Sequence, residues 1–188
     1  MSDEVTEFSH YDRSTTMRVE FTKGRDRDFI LAHRSDGTIA QTTFPKKGWF
    51  PHDAIHFVVE SELRYVAGFW GRVFAGVSPE EVGALAKAGG HHSASRAEQP
   101  LAEVVELIQD ERIVECFEAG IWGEPADADT FKGVLAAACS QSRVPSPILG
   151  DENIRRIREQ LNRLVAQWEK LPIGDSIVLA WGARVCAS

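Results

Sequence analysis

Phe29-Ile30-Leu31-Ala32-His33-Arg34-Ser35-Asp36-Gly37-Thr38-Ile39-Ala40-Gln41-Thr42-Thr43-Phe44 places two β-compatible runs on either side of Ser-Asp-Gly. Asp-Gly tolerates the positive φ of a tight turn, so the pair reads as a hairpin. Pro45 closes the second run, because proline cannot donate to a ladder. Upstream, Thr16-Met17-Arg18-Val19-Glu20-Phe21 alternates with the period of two expected of a half-buried strand. The charged turn 23–28 joins it to the hairpin, so three antiparallel strands open the fold.

Downstream the period changes to that of helices. Pro51 suits the first turn of a helix running to about Leu63. Gly68 to Gly76 reads as a short apolar helix, and Ser78-Pro79-Glu80-Glu81 as a capped helix start. Further helices are expected over 100–119 and 127–140. The last helix is the clearest, with Ile154, Ile157, Leu161, Leu164, Val165, Trp168 and Leu171 recurring at three- and four-residue steps. Asp151 is its expected cap, and Pro172 and Gly174 stop it. Residues 175–181 form a final strand with no late neighbour, so it should return to the opening sheet. Strands first and helices later predict an α+β domain. It should hold a mainly antiparallel sheet of about four strands, three N-terminal and one C-terminal, against five or six helices. Residues 1–13 are expected to be a disordered leader and 14–188 a single domain.

The chain has 188 residues, 43% apolar and 26% charged, with a net charge of −7. That charge argues against binding to nucleic-acid phosphates. No apolar run reaches the roughly 20 residues of a membrane span. Cys116, Cys139 and Cys186 form no Cys-x-x-Cys, so no thiolate zinc site or disulfide framework is indicated. They are expected to be reduced, with Cys116 and Cys139 as core fillers, in a cytoplasmic protein.

The chemistry is concentrated in Pro51-His52-Asp53-Ala54-Ile55-His56-Phe57-Val58-Val59-Glu60. On a helix His52, Asp53, His56 and Glu60 fall within an arc of about 100°, and apolar side chains cover the rest. A helix that apolar is buried, and buried titratable groups need partners. His52 and His56 stand one turn apart, the spacing of the zinc-binding His-Glu-x-x-His helix. They are the candidate metal ligands for a divalent transition metal such as zinc. Asp53 and Glu60 are the candidate catalytic carboxylates. One ion cannot take His52, His56 and Glu60 together, since the ends lie about 12 Å apart along the axis. Other ligands would come from His91 or His92, with Glu115 or Glu118 behind them. The competing reading makes Asp53 the helix cap and His56 a satisfied core histidine. Glu103, Glu106 and Asp110 share a helix face and read as solvated.

The order of these features resembles a family of small bacterial proteins without assigned activity. The resemblance rests on Phe50-Pro51-His52-Asp53, His56, Glu60, Gly68-Phe69-Trp70-Gly71, Trp168 to Pro172, and the strand Ser176 to Trp181. It implies the fold order and no reaction. The likeness to zincin metalloproteases covers five residues, and Asp53 stands where zincins have glutamate. Besides a metal-free cleft in which His56 and Glu60 act as an acid–base pair, two functions follow. One is a metal-binding protein or metal-dependent hydrolase acting on an unidentified small molecule. The other is a noncatalytic binding or homo-oligomeric module, with Trp49, Phe50 and the Gly68 to Phe74 segment as its partner surface.

Overall fold

The computed structural model describes residues 16–46, 48–88 and 100–182. The expected leader, His91, His92 and Cys186 lie outside them. Four strands, β1 (Met17–Thr22), β2 (Arg27–His33), β3 (Ile39–Pro45) and β4 (Ser176–Trp181), form one antiparallel sheet in the order β3-β2-β1-β4. The hairpin turns where the sequence places it. Gly37 has φ 84°, and Asp36 Oδ1 accepts from the Thr38 backbone N–H at 2.8 Å. β4 returns to β1 with Met17 opposite Trp181 and Thr22 opposite Ser176. The α+β expectation holds.

Among the described residues six helices follow the three opening strands: α1 (His52–Leu63), α2 (Phe69–Phe74), α3 (Pro79–Ala88), α4 (Val105–Trp122), α5 (Ala128–Gln141) and α6 (Asp151–Lys170). A 3-10 turn, Ala102–Val104, leads into α4. The start of α3 is a reciprocal capping box: Ser78 Oγ accepts from the Glu81 N–H, and Glu81 Oε2 accepts from Ser78 N–H. Asp127 caps α5 by accepting from Thr130 N–H. Asp151 is not the cap of α6; Gly150 holds that position, and Asp151 lies in the first turn, facing the positive helix end.

α1 sits at the centre. Its Phe57 meets Phe21 of the sheet edge-on at 6.2 Å and Trp181 of β4 at 5.5 Å. Trp70 of α2 closes the same cluster against Phe21 and Phe57. The other flanks of α1 pack on α4 and α6. This centrality overturns most of the expected partner surface. Phe50 is only 5% exposed, edge-on to Trp168, and Trp70 is 1% exposed. Both aromatics fill the core because the chain turns inward at Pro51 and Gly68. Trp49 alone among the three stays partly open, packed against Trp122.

Candidate metal centre

α1 begins immediately after Pro51, whose φ of −67° fits the residue entering a helix. Pro51 therefore occupies the cap position, and no side chain caps α1. Asp53 lies inside the first turn instead of capping it. Ala54, Ile55, Phe57, Val58 and Val59 are all at most 5% exposed. That burial presses the polar edge of α1 against α4, which runs antiparallel beside it. His52 faces Glu111 and Glu118, His56 faces Asp110 and Glu111, and Glu60 lies beyond His56.

The two imidazoles are arranged alike. His56 Nδ1 donates to Asp110 Oδ2 at 2.5 Å, and His52 Nδ1 lies 3.3 Å from Glu118 Oε1. With each Nδ1 carrying its proton toward a carboxylate, each neutral ring turns an Nε2 lone pair the other way. Those two Nε2 atoms stand 3.2 Å apart. Glu111 closes the triangle, with Oε2 at 3.0 Å from His56 Nε2 and Oε1 at 3.6 Å from His52 Nε2. With both rings in that neutral form, three lone-pair-bearing groups converge on one point, an arrangement that a positive charge among them would stabilise.

Without an ion that charge is supplied by protons. Burial works against a charged His52, but hydrogen bonds to Glu111 and Glu118 outweigh it and carry the imidazole up to about 9. Burial likewise opposes a charged His56, and the Asp110 charge raises it well above the usual range. Burial favours a neutral Glu111, yet bonding to both imidazoles holds its carboxyl far below the ordinary carboxylate range.

The inner end of the edge is built differently. Glu60 is fully buried, and its oxygens accept from the backbone N–H of Trp70 at 2.9 Å and of Gly71 at 3.1 Å. A Cβ on Gly68 would stand 2.4 Å from Glu60 Oε2, so glycine is what lets the carboxyl reach those amides. Asp110 is also fully buried, and its Oδ1 has no hydrogen-bond partner among the described residues. Burial, then the nearby Asp110 charge, drives the Glu60 carboxyl well above its usual range.

Two groups of side chains could therefore hold an ion: His52, His56 and Glu111, and the buried His56, Glu60 and Asp110. The outer group fits better. Tetrahedral ligand atoms about 2.0–2.1 Å from zinc stand about 3.4 Å from one another, close to the spacing observed here. In the inner group Glu60 is already committed to backbone amides, and His56 Nδ1 already carries a proton toward Asp110. Asp110 and Glu118 instead occupy the positions of carboxylates that orient metal-bound imidazoles.

The structure brings His52 and His56 together and separates Glu60 from His52, as the helical rise requires. Asp53 belongs to neither group; its backbone carbonyl accepts from Trp70 Nε1 at 2.9 Å. Of the two glutamates expected behind the histidines, Glu118 reaches His52, while Glu115 pairs with Arg112 at 2.8 Å. Glu111 and Asp110 are the residues that sequence reasoning missed. The solvated face read for Glu103, Glu106 and Asp110 holds for Glu103, which is exposed, and fails for Asp110. The signal was present. Asp110 shares the three- and four-residue phase of Leu107, Val114 and Phe117, all buried, so it lies on the apolar stripe of α4. Cys139 packs in the interior as expected, whereas Cys116 is only half-buried against the core, its thiol pushed by burial up to about 11.

No helix among the described residues is long and apolar enough to cross a membrane. Comparison with protein-family models, curated proteins and solved structures gives no match.

Proposed function

We propose that this protein binds one divalent transition metal, of the zinc class, through His52 Nε2, His56 Nε2 and Glu111, and uses it in hydrolysis of a small molecule. The observation that carries this reading is the pair of Nε2 atoms 3.2 Å apart, each ring backed at Nδ1 by its own carboxylate. Two histidines and one carboxylate leave a coordination position open, as in catalytic zinc sites. When bound, such an ion supplies Lewis acidity to a water or substrate oxygen at that position.

The protein's own groups have distinct parts. Asp110 and Glu118 fix the ring orientation and tautomer of His56 and His52. Glu60 lies behind them, its Oε1 3.8 Å from His56 Nδ1. His52 and Glu111 keep side-chain exposures of 20% and 19%, against 10% for His56, so approach is from the His52 end. Asp110, Glu111 and Glu118 surround the centre with negative charge, which favours a neutral or cationic substrate over a phosphate ester.

A proton-only hydrogen-bond network is the competing reading, favoured by the raised imidazole of His52. Metal content separates the two. Protein purified without chelator should carry near one equivalent of transition metal, or take up one equivalent of zinc with proton release. His52→Ala and Glu111→Gln should each abolish uptake at micromolar zinc while the circular dichroism spectrum is kept. Failure of the wild-type protein to bind zinc, cobalt or iron at micromolar concentrations would leave the network reading standing alone.

A further inference from the structure

On the side of α4 turned away from the histidines lies a cavity of about 560 Å³, between the C-terminal half of α4, α5 and α6. Phe117, Phe131, Val134, Ala138 and Leu161 line it, and Arg158 stands among them. The volume is within the range of small-molecule pockets, which are mostly apolar with a few placed polar groups. Val134 remains 53% exposed on its wall, so the cavity opens outward.

Arg158 is the informative residue. Its neighbours on α6 are paired: Arg155 with Glu152 and Glu159, and Arg156 with Glu152 and Glu62. Arg158 is half-buried and meets no carboxylate within ion-pair distance among the described residues. Its Nη2 donates to the Ala126 carbonyl at 2.5 Å, and the guanidinium lies 5.5 Å from the centre of the Phe131 ring. Of the two acids on the rim, Glu115 is taken by Arg112, and Glu124 is exposed. In a chain of net charge −7, a guanidinium with spare donors held over an apolar cavity lacks its complement. A planar guanidinium is suited to a carboxylate approaching with two oxygens.

We infer that this cavity binds an amphipathic carboxylate, with its alkyl chain among Phe117, Val134 and Leu161 and its head on Arg158. The site is separate from the metal centre and does not depend on it. Decanoate and decanol are the probes, titrated below their aggregation limits into the full chain and followed by calorimetry. Decanoate should bind at least about fivefold more tightly than decanol, the least that a charge-assisted pair would give. Arg158→Gln should erase that difference and leave decanol binding unchanged. Ala138→Leu should weaken both ligands by fivefold or more. Val134→Trp, at a half-open position, provides the same obstruction if Ala138→Leu does not fold. No binding of decanoate, equal binding of the two probes by the wild-type chain, or affinity unaltered by obstruction would each overturn the assignment.

Discussion

The two ends of the polar edge of α1 use the same chemistry for different purposes. At the inner end Glu60 is sealed from solvent with its oxygens on the Trp70 and Gly71 amides. At the outer end Glu111 reaches the Nε2 atoms of both imidazoles, with a fifth of its side chain open. Both are carboxylates beside His56. What separates them is what each faces: backbone amides for Glu60, two imidazoles for Glu111. A carboxyl that satisfies the start of a helix is a structural part, whereas one facing two imidazoles is a candidate ligand.

That contrast can be broken most forcibly at Glu60. Glu60→Ala strands the α2 amides in the core and should cost about 3–5 kcal/mol in urea unfolding. Glu60→Gln, which keeps a carbonyl acceptor, should cost markedly less. A loss under about 1 kcal/mol for Glu60→Ala would make the inner end dispensable. The outer end should behave in the opposite way. His52→Ala should weaken zinc binding by about a thousandfold and cost metal-free unfolding less than Glu60→Ala does, because His52 is partly open whereas Glu60 is sealed in the core. A large stability loss with unchanged zinc affinity would reverse the assignment of the two ends.

Asp110 lies between them and sharpens the comparison. Asp110→Asn retains the shape but weakens the acceptor facing His56, so zinc affinity should fall by about 10- to 100-fold, read by chelator competition. An unchanged dissociation constant would deny Asp110 its orienting part. The smallest expected effect is a slope with pH. Folding raises His52 from 6.5 to about 9, so its contribution to the metal-free protein is complete below pH 6.5 and disappears as pH rises through 9. Glu111 is lowered by folding, so its contribution is present above the ordinary carboxylate range and is lost as pH falls. The urea midpoint of metal-free protein should therefore decline from pH 6.5 to 9. Saturating zinc should remove or reverse that decline, because the ion requires unprotonated imidazoles.

Much of the fold was legible because it is written locally. Asp36-Gly37 specifies a turn within four residues, and the stripe from Ile154 to Trp168 specifies a buried helix face by its period alone. The return of β4 followed from the lack of any other strand to pair with it. The site was only half legible for a related reason. His52 and His56 announce themselves by spacing within one helix, but their carboxylates come from α4, and the pairing of two antiparallel helices has no local signature. Asp110 was hidden by grouping it with Glu103 and Glu106 when its phase belonged with Leu107 and Val114. Phe50 and Trp70 were misjudged because proline and glycine beside an aromatic mark a change of direction without saying which way the ring then faces.

The pairing of Met17 with Trp181 joins two strands far apart in the chain, so β1 is made well before its partner. Until positions 176–181 have left the ribosome, one margin of β1 has open amides and carbonyls beside a forming core. Such distant pairings slow folding and leave a nascent chain able to recruit stray strands in the meantime. A copy cut short before Ser176 would keep that vulnerability permanently.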